Sequence, residues 1–473
     1  MFIEGANRPN EIRRQPRFAI PATEDDFRGN NGMPSPSHHD QPHMEALAAN
    51  TSSVEPRVSN WHKRLTSGFD SLRVRNYRLF WIGQLVSLTG SWMQFTAQAW
   101  LVLTLTSSPF AVGLVTTLQW LPVTFFSLVG GVIIDRTDRH RLLIATQTAA
   151  MLTALVFGAL VGLNIIKLWH IYGLALLQGC TNALDLPLRH SFAVELVKQD
   201  QRVNVVALNS ISFNITRVLG PALAGVLIKP IGIAAILFIN AASFVAVIWA
   251  LLQMDRLSFF NELQQQTPGS MTQRLREGLA YTLHTSDILL VMIVVAAVGT
   301  FGFNFGVILP LIAKFVVRTN AAGFGALTSL MGIGSLAASI TAAYTHVVTT
   351  RRLLTTAAAF SAVLGAVAFS EAFVLSSLLL MALGFFGILF AITASSLIQL
   401  TVPNELRGRV TSLYLLLFMG STPVGGLLIG ASSETIGVAR TLLVCSLLCL
   451  MGIAGAFLFH RYKGNRLSSA AAT

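Results

Sequence analysis

From Leu79 to His460 the chain is a succession of apolar blocks, each about 20 residues long and set off by a short polar break. Inside a bilayer the backbone has no water to bond, so a block of that length crosses as an α-helix. The blocks run 79–103, 110–134, 142–163, 168–188, 204–228, 231–254, 288–313, 321–346, 352–370, 372–397, 410–433 and 438–460. Glu371 is the only charged residue between Leu353 and Leu397, and the turn between the ninth and tenth blocks is placed there. Charged residues make up 11% of the chain, against about 25% in an ordinary soluble domain. The fold class expected is all-α integral membrane, with twelve transmembrane helices in two six-helix bundles.

Lys and Arg fix the orientation. Lys63, Arg64, Arg73, Arg75 and Arg78 precede the first block. By alternation the same side takes Arg136, Arg139, Arg141, Arg189, Lys198, Arg202, Arg256, Arg274, Arg276, Arg351, Arg352, Arg407, Arg409, Arg461, Lys463 and Arg466. The other side receives only Lys167, Lys229, Lys314, Arg318 and Arg440. The positive-inside rule then puts both termini in the cytoplasm of a multi-pass protein of the inner membrane. The net charge of +12 is read as this loop charge, with no nucleic-acid partner.

Five regions follow. Residues 1–70 are polar and are expected to form a disordered cytoplasmic tail; His38, His39 and His43 there have no arrangement of further ligands. Residues 71–254 form the first bundle, 255–287 a cytoplasmic central loop, 288–462 the second bundle and 463–473 a tail. The bundles repeat each other weakly. LGPALAGVLI at 219–228 returns as STPVGGLLIG at 421–430, which points to a parallel pair of bundles with a path between them.

The run GGVIIDRTDRHRLL at 130–143 places a cluster of charges between the second and third blocks. Such charge belongs in a hairpin at the membrane surface. Residues 131–141 resemble the loop signature of the major facilitator superfamily, and the six-plus-six layout agrees. The stretch RNYRLFWIGQLVSLTGSWMQFTAQAWLVLTLTSSPFAVGLV, with LNSISFNITRVLGPALAGVLI and VPNELRGRVTSLY, is similar to the branch that contains the enterobactin exporter. The resemblance covers roughly residues 72–460. It implies a cytoplasmic gate at Gly131, Asp135, Arg136, Arg139 and Arg141. Asp135 would bind the N-terminus of the eleventh helix, whose free N–H groups suit a carboxylate. The arginines would bind carboxylates or lipid phosphates, or simply hold topology. Where drug/proton antiporters carry an Arg before a Gln-Gly pair in helix four, this chain has Ala175 before Gln178 and Gly179.

Some polar residues lie inside the blocks. Arg217 is deep in the fifth, with Asp185 the nearest acid in sequence. The two read either as a structural charge pair or as a coupling or anion-attracting element, with snorkelling as a third course. Gly220, Pro221 and Gly225 are expected to bend helix five. Gln94, Gln98 and Asn304 are candidates for the substrate pathway, which the resemblance assigns to helices one, four, seven and ten; each reads equally as an interhelical hydrogen bond. Trp92, Trp100, Phe301, Phe303 and Phe305 form an aromatic wall or ordinary packing. His346 and Glu434 read as surface groups near span ends.

Cys180, Cys445 and Cys449 lie in apolar blocks and read as packing residues. No catalytic constellation, metal site, cofactor motif or nucleotide-binding loop is present in the sequence. The reading is a secondary transporter, not an enzyme. It would move a small-molecule substrate by alternating access, with protons as coupling ion and the lipid bilayer around a monomer. Efflux of a siderophore or toxic amphipathic compound is expected; a metabolite importer and a non-transporting sensor or assembly partner are the alternatives.

Overall fold

The computed structural model describes residues 69–260, 271–345 and 348–470. The first half holds α1 (Arg75–Thr106), α2 (Pro109–Arg136), α3 (Arg139–Gly162), α4 (Leu168–Glu195) and the double-length α5 (Arg202–Leu252). After α6 (Met271–His284) the second half holds α7 (Ser286–Phe301), α8 (Phe305–Leu311) with a π-helical turn Ile312–Val316, then α9 (Ala321–Tyr344), α10 (Thr350–Val367), α11 (Phe373–Thr401), α12 (Asn404–Ile436) and α13 (Val438–Ala470). Among the described residues 8 segments are long and apolar enough to span, and one of them, Gln199–Leu252, is 54 residues long. That segment supplies two spans, because α5 turns at Gly232, whose φ of 80° lies in the left-handed region that glycine tolerates. The polar side chains of α1 and α4 and the paired arginines of α10 keep these three helices below that apolar threshold, yet each packs among the others.

The expected division at Glu371 agrees with the gap between α10 and α11. The chain read as a central loop contains a helix, α6, and the chain read as a C-terminal tail continues α13 to Ala470. Residues 1–68, with the three tail histidines, lie outside the described residues, as does His346.

Helix ends use short polar caps. Ser108, Asp138, Asn320 and Thr349 each accept from the N–H groups of the helix they open. The first bundle is clasped shut by Asn76, which donates to the Asp255 carbonyl at 2.8 Å and accepts from its N–H at 3.2 Å. This joins the start of α1 to the chain just past α5. The Ser258 hydroxyl and the Leu257 N–H hold the Asp255 carboxyl below its ordinary range.

The halves meet along two seams, α2 with α12 and α5 with α9. Both are built alike. A side chain on Gly113 would collide with the α12 backbone at Gly426 and Gly430, and one on Gly325 with the α5 backbone at Pro221 and Gly225. One turn along, Thr117 donates its hydroxyl to the Pro423 carbonyl at 2.9 Å, and Ser329 donates to the Val218 carbonyl at 2.8 Å. The weak sequence repeat is echoed about one turn out of register: by these contacts Pro423 corresponds to Val218, and Pro221 to Gly426. The seams lie toward the face that carries Ser108, Lys229, Asn320 and Glu434, here the far face. The opposite, basic face carries Arg75, Arg139, Arg202, Arg352 and Arg409.

Candidate functional site

At the basic face, Asp138 caps α3, accepting from the His140 N–H at 3.0 Å and the Arg141 N–H at 3.2 Å. Arg141 and Arg256 approach the same carboxylate at 3.3 and 3.7 Å. Arg139 pairs with Glu195 at the end of α4. His140 is buried, with Nε2 2.9 Å from the Leu251 carbonyl oxygen and its ring against Phe192 and Phe259. These contacts hold the hairpin to its own half. Arg136 is exposed. The α2 backbone runs through Gly131 and Asp135, but the Asp135 side chain lies outside the described part.

Asp185 and Arg217 do not pair. Asp185 is buried on α4 and meets Arg189 one turn later on the same helix. It also accepts from Thr146 Oγ1 at 2.8 Å and Gln147 Nε2 at 2.6 Å. Arg189 donates to Gln84 and, at 3.0 Å, to Gln147 Oε1. An i, i+4 acid–base pair with neutral partners on α1 and α3 satisfies both charges, which leaves Asp185 unavailable to Arg217. From sequence Arg189 reads only as a topology charge. Its spacing from Asp185 is the available signal.

Gln94 and Gln98 are buried on α1. Gln94 accepts from Asn240 Nδ2 at 2.8 Å and lies 3.5 Å from Gln178 Oε1, which also takes Gln119 Nε2 at 3.3 Å. Gln178 is therefore a hub joining α1, α2 and α4. Gln98 lines a narrow crevice with Phe95, Thr116, Gln119 and Gly306, at the meeting of both halves. Asn304 does not face an open path. It is buried between α7 and α8, where Nδ2 donates to the Thr300 carbonyl at 2.8 Å and the Gly299 carbonyl at 3.2 Å. It braces the break in the seventh span against Gly425 of α12.

Gly220 and Pro221 keep helical backbone angles within α5. The non-helical residue is Gly232, after Pro230. Gly220 instead lets Trp92 of α1 lie on the helix, and Pro221 and Gly225 form the seam with α9. Glu434, read as a surface group, reaches across the halves: its Oε2 accepts from Ser108 Oγ and from the Phe110 N–H.

At 100° per residue, the faces of α5 separate cleanly. Leu208, Ser212 and Thr216 are buried toward their own bundle, while Ile211, Ile215, Leu219 and Val226 form an exposed apolar flank suited to lipid. Val206, Phe213 and Arg217 lie on a further strip of α5, between the side touching α1 and the side touching α9. Trp92 stands edge-on to Phe95 and Phe213, with ring centroids 5.7 and 5.8 Å away. In the other half, Phe303 packs 4.9 Å from Phe305, 5.7 Å from Phe360 and 4.8 Å from Phe418, which stacks on Tyr414. Trp100 belongs elsewhere: it stacks on Phe324 with Lys314 Nζ 5.7 Å from its ring, joining the halves near the far face. Phe301 is half-buried against the second-half core.

The sequence matches the transmembrane secretion effector family over residues 66–472. It is 28% identical over 395 residues to the uncharacterized MFS-type transporter YfiS of Bacillus subtilis, covering 78% of this chain and 89% of that one. The Staphyloferrin A transporter of Staphylococcus aureus is 23% identical, covering 77% of this chain and 91% of its own. The multidrug efflux pump Tap of Mycolicibacterium fortuitum is 24% identical, with 78% and 92% covered. Among solved structures, the nucleoside transporter NupG shares the fold with a TM-score of 0.63 at 13% identity, over 81% of this chain and 98% of that one. With its helical membrane fold and its two joined halves, the chain belongs to the transmembrane secretion effector family of the major facilitator superfamily, and is a multi-pass membrane transporter rather than an enzyme.

Proposed function

We propose that this transporter exports a small amphipathic molecule, a siderophore or a toxic compound, from the cytoplasm in exchange for protons. The observation that carries the reading is the pair of matching seams, α2–α12 and α5–α9, beside an α5 strip that holds Arg217 and Phe213, the latter against Trp92. Two rigid halves joined by equivalent crossings rotate about a common axis, which is the motion alternating access requires. Residues 71–254 and 288–462 are the two moving bodies in this reading.

In this reading the basic face is cytoplasmic, with both termini there, and the far face lies outside the inner membrane; the excess of Lys and Arg on the basic face supports this. The seams then close the outer side. Asp135, at the inner end of α2, acts in the opposite state by capping α12 near Asn404, where free N–H groups await an acceptor. The family description of secretion, and relatives named for staphyloferrin A and for multidrug efflux, support outward transport of such cargo. Lacking a nucleotide-binding loop, the chain draws on a gradient, and it works as a monomer.

The test uses inside-out vesicles with an imposed pH gradient. Accumulation of a candidate compound that collapses with the gradient is the expected result. Accumulation in right-side-out vesicles alone overturns the direction, and gradient-independent movement overturns the proton coupling.

A further inference from the structure

Arg217 is the most isolated charge in the membrane-spanning part of the described chain. It lies 15 residues past the start of α5 at Arg202 and 15 before the turn at Gly232, about 22 Å from either end at ~1.5 Å per residue. No side chain of its length reaches a headgroup from there, so snorkelling is ruled out. Asp185, the acid nearest in sequence, is fully engaged by Arg189, Thr146 and Gln147. Among the described residues no hydrogen bond or ion pair reaches the Arg217 guanidinium. A cation at mid-membrane depth with no acceptor among the described residues is costly, and is kept where it faces water or a charged ligand.

Its surroundings say which ligand. Phe213 precedes it by one turn on the same strip of α5, and Trp92 lies against both Phe213 and Gly220. A planar fork of donors beside aromatic ring edges matches a carboxylate carried on a ring. We propose that Arg217 is the anion-recognition point of the transport path, and that the cargo is an aromatic organic anion. This rests on the transporter reading and narrows it from amphipathic molecules in general to acids.

The chemistry fits the proposed direction. The guanidinium stays charged at any physiological pH, so it attracts the anion from the cytoplasmic side whenever the path between the halves is open there. Release does not need Arg217 to lose its proton. It needs water to enter from the outside and screen the pair.

The experiment uses the full chain in lipid nanodiscs, with tryptophan fluorescence as readout, since Trp92 adjoins the site. Salicylate is titrated against salicylamide, which has the same ring without the charge. Salicylate is expected to bind at least about tenfold more tightly than the amide, roughly the value of one charge-assisted pair. R217Q removes that difference, and R217K, checked for the same elution profile and melting behaviour, keeps part of it. Equal binding of acid and amide overturns the proposal, as does a preference that survives R217Q, or no salicylate response up to about 10 mM. A further arm replaces chloride by gluconate. A saturable chloride response at Arg217 without a salicylate response assigns the site to an inorganic anion and also overturns it. Transport of a cationic dye by the wild type and R217Q alike rejects this proposal while leaving the transporter reading intact. No gradient-driven movement of any compound rejects that reading itself.

Discussion

Glu434 and Ser108 join the two halves of the molecule at the far face. Ser108 Oγ donates to Glu434 Oε2 at 2.8 Å, and the same oxygen accepts from the Phe110 N–H at 3.2 Å. Ser108 is also the N-cap of α2, accepting from Ala111. The carboxylate at the last turn of α12 thus completes the cap of a helix in the other half. E434Q keeps the shape and loses the charge. It is expected to weaken closure by about 0.5–1 kcal/mol, a two- to five-fold shift toward the state open at the far face. Labelling of a cysteine introduced at Gln98 by an impermeant thiol reagent added from that face reads the shift directly.

The seam glycines are expected to be less forgiving. A Cβ on Gly325 would stand 2.7 Å from the Gly225 Cα, against backbone that cannot step aside. Gly325→Leu should hold the seam apart and lower transport at least about tenfold without preventing insertion, because overpacking here penalises one state rather than the fold. Gly113→Leu, at the matching seam, should behave the same way. Full transport by either variant would show that close approach is not needed.

The Asp185–Arg189 network calls for a different outcome, a loss of stability. Asp185→Ala leaves the Arg189 guanidinium without its buried carboxylate, at an expected cost of about 3–5 kcal/mol. Asp185→Asn should be milder, since it still accepts from Thr146. Melting temperature in detergent ranks them, with wild type highest and alanine lowest.

Charges of the hairpin should separate by partner. Arg139 is tied to Glu195, whereas Arg141 is largely exposed and Arg136 is exposed. Arg139→Ala is expected to lower both thermal stability and transport, and Arg136→Ala to change stability by less than about 0.5 kcal/mol. Asp135→Asn should weaken transport while membrane insertion remains intact; normal flux in that variant would remove the proposed inner clip.

Much of the architecture can be read from hydropathy because span length is a bilayer dimension, independent of which residues touch. Even α1 and α4, whose glutamines and charges dilute the apolar signal, are placed by the breaks around them. Helix α6 escapes such a reading because its segment is polar overall, although Met271, Leu275, Leu279 and Leu283 recur at a spacing of four. The site is less legible. Arg217 stands out as a charge in an apolar block, but its pairing depends on α3 and α1 offering Gln147 and Gln84 to Arg189 instead. Ser108 and Glu434 are 326 positions apart, so no local pattern links them. Asn304 looks like a pathway residue by its helix, yet the break after Gly302 turns it to satisfying backbone carbonyls.

The twin seams also determine how this protein can be jammed. Gly113 with Thr117 and Gly325 with Ser329 make equivalent contacts, so in the proposed cycle neither crossing parts while the other stays locked. A blocker therefore needs to recognise only one of them. Wedged into either groove, it arrests the whole cycle, and resistance through a single substitution at its own groove leaves the twin open to attack.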